Sequence, residues 1–272
     1  MLKQLFKRMD RNPLLKNVSK AIQNRLANRE VGRIATHFKQ YFHTTIAVTD
    51  ETRNRSFNIR HDVYCRELNF EPVRKDSLEK DEFDSHSIHC LVQHKQSNQF
   101  AGTVRMVMSN SKLQKLPIEQ FCDHALEHEY LHPKNFSRDE ICEISRLAVP
   151  AKFRKRKSDN FAGAETGGID QSVFSDKELR CFPFIAISLY FMAATVTQQR
   201  GINHIFVMME PRLARSLRFV GIPFTQIGKV TDYHGKRAPY HIDPKVLFET
   251  LSPGFRKLMD VIGDEMKEQL TS

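Results

Sequence analysis

The nine residues Ile141-Cys142-Glu143-Ile144-Ser145-Arg146-Leu147-Ala148-Val149 decide how this chain is read. Their aliphatic and β-branched side chains specify a buried strand, yet Glu143 and Arg146 stand in its middle. Ionised groups are rarely buried without partners, so a core strand carrying both needs a reason. One reading is a structural ion pair. The other is a carboxylate set inside a cleft to take a proton. Side chains alternate along a strand, so residues three apart point to opposite faces unless a bulge intervenes, which counts against a simple Glu143–Arg146 pair.

Downstream of this strand, the apolar run Phe182 to Val196 reads as a core helix. It is too short to span a bilayer, and Pro183 and Ser188 interrupt it. Ser175-Asp176-Lys177-Glu178 ahead of it has capping-box spacing, and Gln199-Arg200-Gly201 is a stop signal. His204 to Met209 reads as a second buried strand. Pro211 to Val220 reads as a helix with proline in its first turn and Gly221 at its end. Strand, helix, strand, helix requires that part of the sheet be parallel, which makes the class α/β.

Upstream, Thr45 to Val48 reads as a first strand and Phe57 to Leu68 as a helix bearing Arg60. Ser87 to Gln93 and Ala101 to Met108 form a strand pair across the polar turn Lys95 to Gln99. Short helices and loop fill Leu116 to His132. Arg60, Arg105 and Arg146 together with Asp81, Asp84 and Glu143 lie in or beside apolar segments, and could neutralise one another around one site.

The 272 residues suffice for one substantial core with terminal additions. The expected division is a basic helical arm over 1–43, a main domain over 44–243 and a helical segment over 244–272. The five cysteines, Cys65, Cys90, Cys122, Cys142 and Cys181, are scattered and never spaced Cys-x-x-Cys. That pattern fits reduced, packed thiols in a cytoplasmic protein. Met1-Leu2-Lys3 opens a mixed charged segment and not a secretory leader. A net charge of +10 calls for an anionic partner. Helix-turn-helix, zinc-finger and aromatic RNA-binding signatures are lacking, so nucleic acid is not expected. The basic amphipathic pattern of the first 43 residues suits helices packed on the domain edge, a carrier protein, or the inner face of a membrane.

The ordered set Arg60, Tyr64, Asp81, Asp84, Arg105, Phe121 and Glu143-x-x-Arg146 resembles the signature of the acyl-homoserine-lactone (LuxI-type) synthases. It resembles still more their relatives, the N-acyl amino acid synthases and the PEP-CTERM/exosortase system-associated acyltransferases. The phrases Arg60-His-Asp-Val-Tyr64, Glu143-Ile-Ser-Arg-Leu-Ala-Val149, Met209-Glu-Pro-Arg-Leu-Ala-Arg215 and Asp232-Tyr-His-Gly-Lys-Arg237 carry the likeness, from about Phe57 to about Ile242. The resemblance implies a GNAT-like acyltransferase fold, a central mixed sheet flanked by helices, here with an N-terminal helical arm. It implies transfer of a fatty acyl chain from a carrier-protein thioester to the amino group of an amino acid or related small amine.

The same resemblance implies the roles. Glu143, Ser145 and Arg146 would be catalytic, with Glu143 as base. Arg60, Tyr64, Asp81, Asp84 and Arg105 would bind the acceptor. Main-chain amides at Leu147, Ala148 and Val149 would face the thioester carbonyl. In GNAT enzymes a glycine-rich turn after the central strand cradles the donor's pyrophosphate. Here Lys152, Arg154, Lys155 and Arg156 replace it, a departure that favours an acyl-phosphopantetheine arm on an acidic carrier protein over acyl-coenzyme A. No bound cofactor is implied. Arg212 is a candidate for donor phosphate, and His234 for a second acid–base group. His124, His128 and His132 recur at helical spacing, but nothing nearby completes a metal set, and none is expected. Two rival readings stand beside this one. The first is an acyl-homoserine-lactone synthase using S-adenosylmethionine, although those synthases carry Trp where this Trp-free chain has Phe70. The second is a non-catalytic basic binding protein.

Overall fold

A computed structural model of the chain describes residues 29–111, 113–154 and 183–271. Among the described residues, eight strands form one mixed sheet in the order β1-β2-β3-β4-β5-β8-β6, with β7 pairing β8. Strands β1 (Phe42–Ile46), β2 (Ser87–His94), β3 (Phe100–Met108) and β4 (Ile141–Ala148) are antiparallel neighbours. The expected parallel step lies between β4 and β5 (His204–Met209). Beyond it, β8 (Lys236–Ile242) returns antiparallel and carries the short β6 (Thr225–Gln226) and β7 (Thr231–Asp232).

Helices cover both faces. On one face, α1 (residues 29–41), α4 (Pro183–Gln199) and α7 (Pro253–Thr271) enclose the larger core. Phe38, Phe42, Leu189, Phe191 and Leu258 are buried there, each contributing about 1.5–3 kcal/mol by leaving water. Helix α7 is keyed to β1 by hydrogen bonds: Glu265 accepts from the Thr44 hydroxyl and amide, and Gln269 bonds the main chain of Thr44 and Ile46. On the other face lie α2 (Asp50–Arg60) and the short α3 (Pro117–Phe121), over two smaller apolar clusters. Next in chain order, α5 (Pro211–Val220) ends at Gly221, whose φ of 96° is a left-handed cap glycine tolerates. The helix α6 (Pro244–Thr250) leads into α7.

Two boundaries differ from the sequence reading. The helix expected to begin at Phe57 begins at Asp50, because Thr49 and Thr52 build a capping box over a polar first turn that hydrophobic periodicity does not mark. It continues into a π-helical segment, His61–Glu67, and ends there. The first strand is Phe42–Ile46 and not Thr45–Val48, since Phe42 continues the core of α1 through a ring stack on Phe38 at 5.0 Å. The sequence features at 1–28, including Leu2 to Leu26, the Ser175–Glu178 box, Cys181 and the basic positions Lys155 to Lys157 lie outside the described residues.

Candidate active site

The bulge that would let Glu143 and Arg146 share a face is present. Opposite β3, the register runs Arg105 to Ser145 and then Thr103 to Ala148, so β4 holds one extra residue. Arg146 absorbs it with φ of 52°, in the left-handed region rarely adopted by side chains. The strand's phase flips there. Ile144 and Leu147 pack toward the large core, whereas Ile141 and Ala148 belong to the clusters of the opposite face.

Just before this kink, β4 parts from β5. Their pairing covers only Ile141 to Glu143 against His204 to Phe206. The opening is a cleft. One part is lined by Glu143, Ser145 and Arg146 with Tyr64, Phe70, Glu71, Arg105, Met208, Tyr233, His234 and Arg237. A second part shares Tyr64, Ile144, Ser145, Arg146, Met208 and Arg237 and extends along Leu147, Tyr190, Met209, Glu210 and Leu213.

Glu143 is only 2% exposed. Its Oε2 accepts a 2.6 Å hydrogen bond from the Ile118 amide, donated by the first turn of α3. Burial pushes its carboxyl up to about 8, against the downward pull of that bond and of Arg105. Arg146 is bonded away from Glu143: its Nε donates to Glu79 at 3.3 Å and its Nη2 to Glu71 at 3.2 Å. The orienting contact on Glu143 is the Ile118 amide.

Behind one wall of the cleft sits an ion network. The Arg60 Nε donates to Glu79 Oε2 at 2.5 Å, and its Nη1 and Nη2 grip Asp84 at 2.6 and 3.1 Å. The Arg105 Nη1 donates to Asp81 at 2.5 Å and Asp84 at 2.9 Å, while its Nε donates to Ser145 Oγ at 3.1 Å. Burial alone would raise the Asp84 pKa, but Arg60 and Arg105 hold it well below the usual carboxylate range. Asp81 and Asp84 also cap the 3₁₀ turn Glu82–His86, so local geometry and charge pairing use the same carboxylates. His89 beside them is kept neutral, pulled down to about 3 by burial and by Arg60.

Tyr64, on the π-helical segment, donates its hydroxyl to the Leu147 carbonyl at 2.8 Å and lies under the Arg146 guanidinium. His234, at φ 51° in the β7–β8 turn, stands 3.8 Å from Glu71 and faces Phe70, with burial lowering its pKa.

The cleft therefore gathers Glu143, Ser145, Arg146, Tyr64, Arg105, Leu147 and His234 from the sequence-derived candidates. Arg60 and Asp84 are sealed behind it, and Asp81 is half-buried between. Ala148 and Val149 are buried in core. Arg154 pairs with Glu67, which also accepts from the Ala151 amide, so this part of the basic turn is tied down. Lys152 lies at a separate shallow surface beside Arg55 and Arg66. Lys155 and Arg156 are outside the described residues, and Arg212 is exposed on the first turn of α5. His124, His128 and His132 hold turns through Thr231, the Tyr130 and Leu131 amides and the Lys134 amide. Among the described residues, no group of three or more His, Cys, Asp or Glu side chains is arranged to hold a metal ion, and no helix is long and apolar enough to cross a membrane.

Sequence reasoning gave no site role to Glu71, Glu79 or Arg237, and marked Phe70 only as the place where the lactone synthases carry tryptophan. Glu79 falls in Leu78-Glu79-Lys80-Asp81-Glu82, a charge run that looks solvated. Its 1% exposure follows from Arg60 and Arg146 converging on it.

Residues 59–163 match the family model described as an acetyltransferase (GNAT) domain. Solved structures with the same fold include BjaI, a CoA-dependent acyl-homoserine lactone synthase, at 16% identity and TM-score 0.54, covering 82% of this chain and 89% of that one. TofI, in a ternary complex with an inhibitor and MTA, follows at 14% identity and TM-score 0.53, covering 78% and 99%. FeeM, an N-acyl amino acid synthase from uncultured soil microbes, matches at 14% identity and TM-score 0.51, covering 77% and 94%. At such identities the likeness is one of fold. No protein of curated function matches the sequence.

Proposed function

We propose that the chain is an N-acyltransferase that moves a fatty acyl group from a phosphopantetheine thioester to the amino group of an amino acid or related small amine. The observation that carries this reading is Glu143: a carboxyl with its pKa raised to about 8, fixed by one amide, facing the opening between β4 and β5. A base poised near neutrality can take a proton from an ammonium acceptor and leave the amine free to attack. The amine nitrogen bonds to the thioester carbonyl carbon, the carbon–sulfur bond breaks, and the proton the nitrogen then sheds ends on the departing thiolate. Main-chain amides of β4 beyond the bulge are the donors proposed for the transient oxyanion, and Ser145 and Arg105 for the polar wall beside it.

The donor proposed is an acyl-carrier protein, with coenzyme A second. The support is charge: net +10, and an exposed basic face on α5 whose N-terminal turn borders the cleft at Leu213. The wording of the motifs favours the exosortase-associated branch of these acyltransferases, acting in the cytoplasm or at the inner membrane face.

Incubating the purified chain with acyl-carrier thioesters and a panel of amino acids, with mass spectrometry of the products, tests the reading. N-acyl amino acids are the expected product. Acyl lactones formed only with S-adenosylmethionine would replace the acceptor assignment, and the absence of any acylated product would end the enzymatic reading.

A further inference from the structure

Among the described residues, Arg237 is an uncommitted cation of the cleft. It projects from β8 and lines both parts of the cleft. Its Nε is shielded from solvent and has no hydrogen-bond partner, and among the described residues no carboxylate pairs with its guanidinium. The other two guanidinia of the cleft are spent: Arg105 on Asp81, Asp84 and Ser145, Arg146 on Glu79, Glu71 and Asp81. The Arg237 guanidinium carbon lies 5.9 Å from the centre of the Phe70 ring, which fixes the side chain over an apolar surface and leaves its donors to the cleft. A part-buried guanidinium without a counter-ion is costly, and a ligand anion would remove that cost.

We propose that Arg237 receives a carboxylate on the acceptor, so that the site selects amines that carry a carboxylate close to the reacting nitrogen. This rests on the acyl-transfer reading for naming the ligand an acceptor. The chemistry supports a carboxylate over a donor phosphate. A pantetheine arm separates its phosphate from the thioester by the arm's whole length, whereas Arg237 shares one compartment with the base, Glu143. Guanidinium takes carboxylate through two parallel hydrogen bonds, which would also orient the amine.

The test measures binding of the standard amino acids, each beside its carboxamide, to the full chain by calorimetry and thermal shift. It is run with and without octanoyl-pantetheine on wild type, R237K and R237M. The expected result is that at least one amino acid binds wild type about 10- to 100-fold more tightly than its amide. R237M should erase that preference and R237K restore part of it. Ligand-free R237M should melt no lower than wild type, since it loses no ion pair. Equal binding of acids and amides to wild type, a preference that survives in R237M, or no binding by any amino acid overturns the proposal. Turnover assayed alongside keeps the two readings apart. Arg237-dependent binding without N-acyl product keeps the carboxylate site at Arg237 but sinks acyl transfer and the ligand's name as acceptor, whereas product formed from acids and amides alike keeps acyl transfer and overturns the carboxylate site.

Discussion

At the scale of single residues, Glu143 connects chemistry and stability. Its raised pKa means the folded state holds a proton that the unfolded chain has released over the window from about 4.5 to about 8. Stability therefore falls as pH rises through that window and levels off above it. Replacing Glu143 with Gln removes the titration while keeping the acceptor for the Ile118 amide. The melting temperature of wild type should thus decline relative to E143Q between those limits, and the two should track in parallel above about pH 8; a constant difference throughout would mean that Glu143 titrates normally. The same variant tests catalysis. A general base contributes about 10²- to 10⁴-fold, so E143Q should lose that much in kcat while wild-type activity climbs toward pH 8. Wild-type turnover by folded E143Q would remove Glu143 from the reaction.

At the scale of elements, the bulge in β4 and the face of α5 make separate claims. Arg146 holds a positive φ of 52°, which costs an L-residue about 1 kcal/mol relative to glycine. Arg146→Ala and Arg146→Gly both remove the same guanidinium from Glu71 and Glu79, so their difference isolates the backbone. The glycine variant should be the more stable by about 1 kcal/mol in denaturant unfolding, opposite to their ordinary order in a strand, and the usual order would show that the left-handed kink is not held in solution. On α5, Arg212, Arg215 and Arg218 are exposed together with Phe219. Reversing Arg212 and Arg215 to Glu should raise KM for an acyl-carrier donor at low salt, leave an acyl-pantetheine donor unaffected, and lose its effect near 1 M salt. An equal effect on both donors would point away from carrier docking. Elements with strong periodicity or clear stops were legible in the sequence: β5 and α5 fall at the expected residues because Pro211 and Gly221 bracket a helix after an unbroken apolar strand. The bulge was legible only as a conflict between Glu143 and Arg146, since no residue type there announces a left-handed conformation.

At the scale of the whole molecule, the ion network is what joins α2, the segment around Glu79 to Asp84, β3 and β4 into one frame behind the cleft. The sequence exposed its arginines, because Arg60 and Arg105 interrupt apolar runs. It hid Glu79, because a carboxylate among other charges reads as solvated until the fold surrounds it with guanidinia. Three guanidinia and four carboxylates are gathered here, and three members, Arg60, Glu79 and Arg105, are almost wholly buried at 0%, 1% and 1% exposure. Such a network is held by mutual neutralisation, so breaking it one-sidedly leaves an orphaned charge at about 3–5 kcal/mol. Arg60→Met should cost that much, since it frees both oxygens of Asp84 from a two-point grip and one of Glu79. Adding Asp84→Asn removes one orphaned charge, and the double variant should be more stable than the sum of the two singles by about 1 kcal/mol or more. Because the pairs are shielded from solvent, this coupling should change little between low salt and 1 M salt, unlike that of exposed pairs. Additive effects in the thermodynamic cycle, or a coupling that salt abolishes, would mean that the network is open to water and that the cleft wall is not the rigid frame on which the position of Glu143 and Arg146 depends.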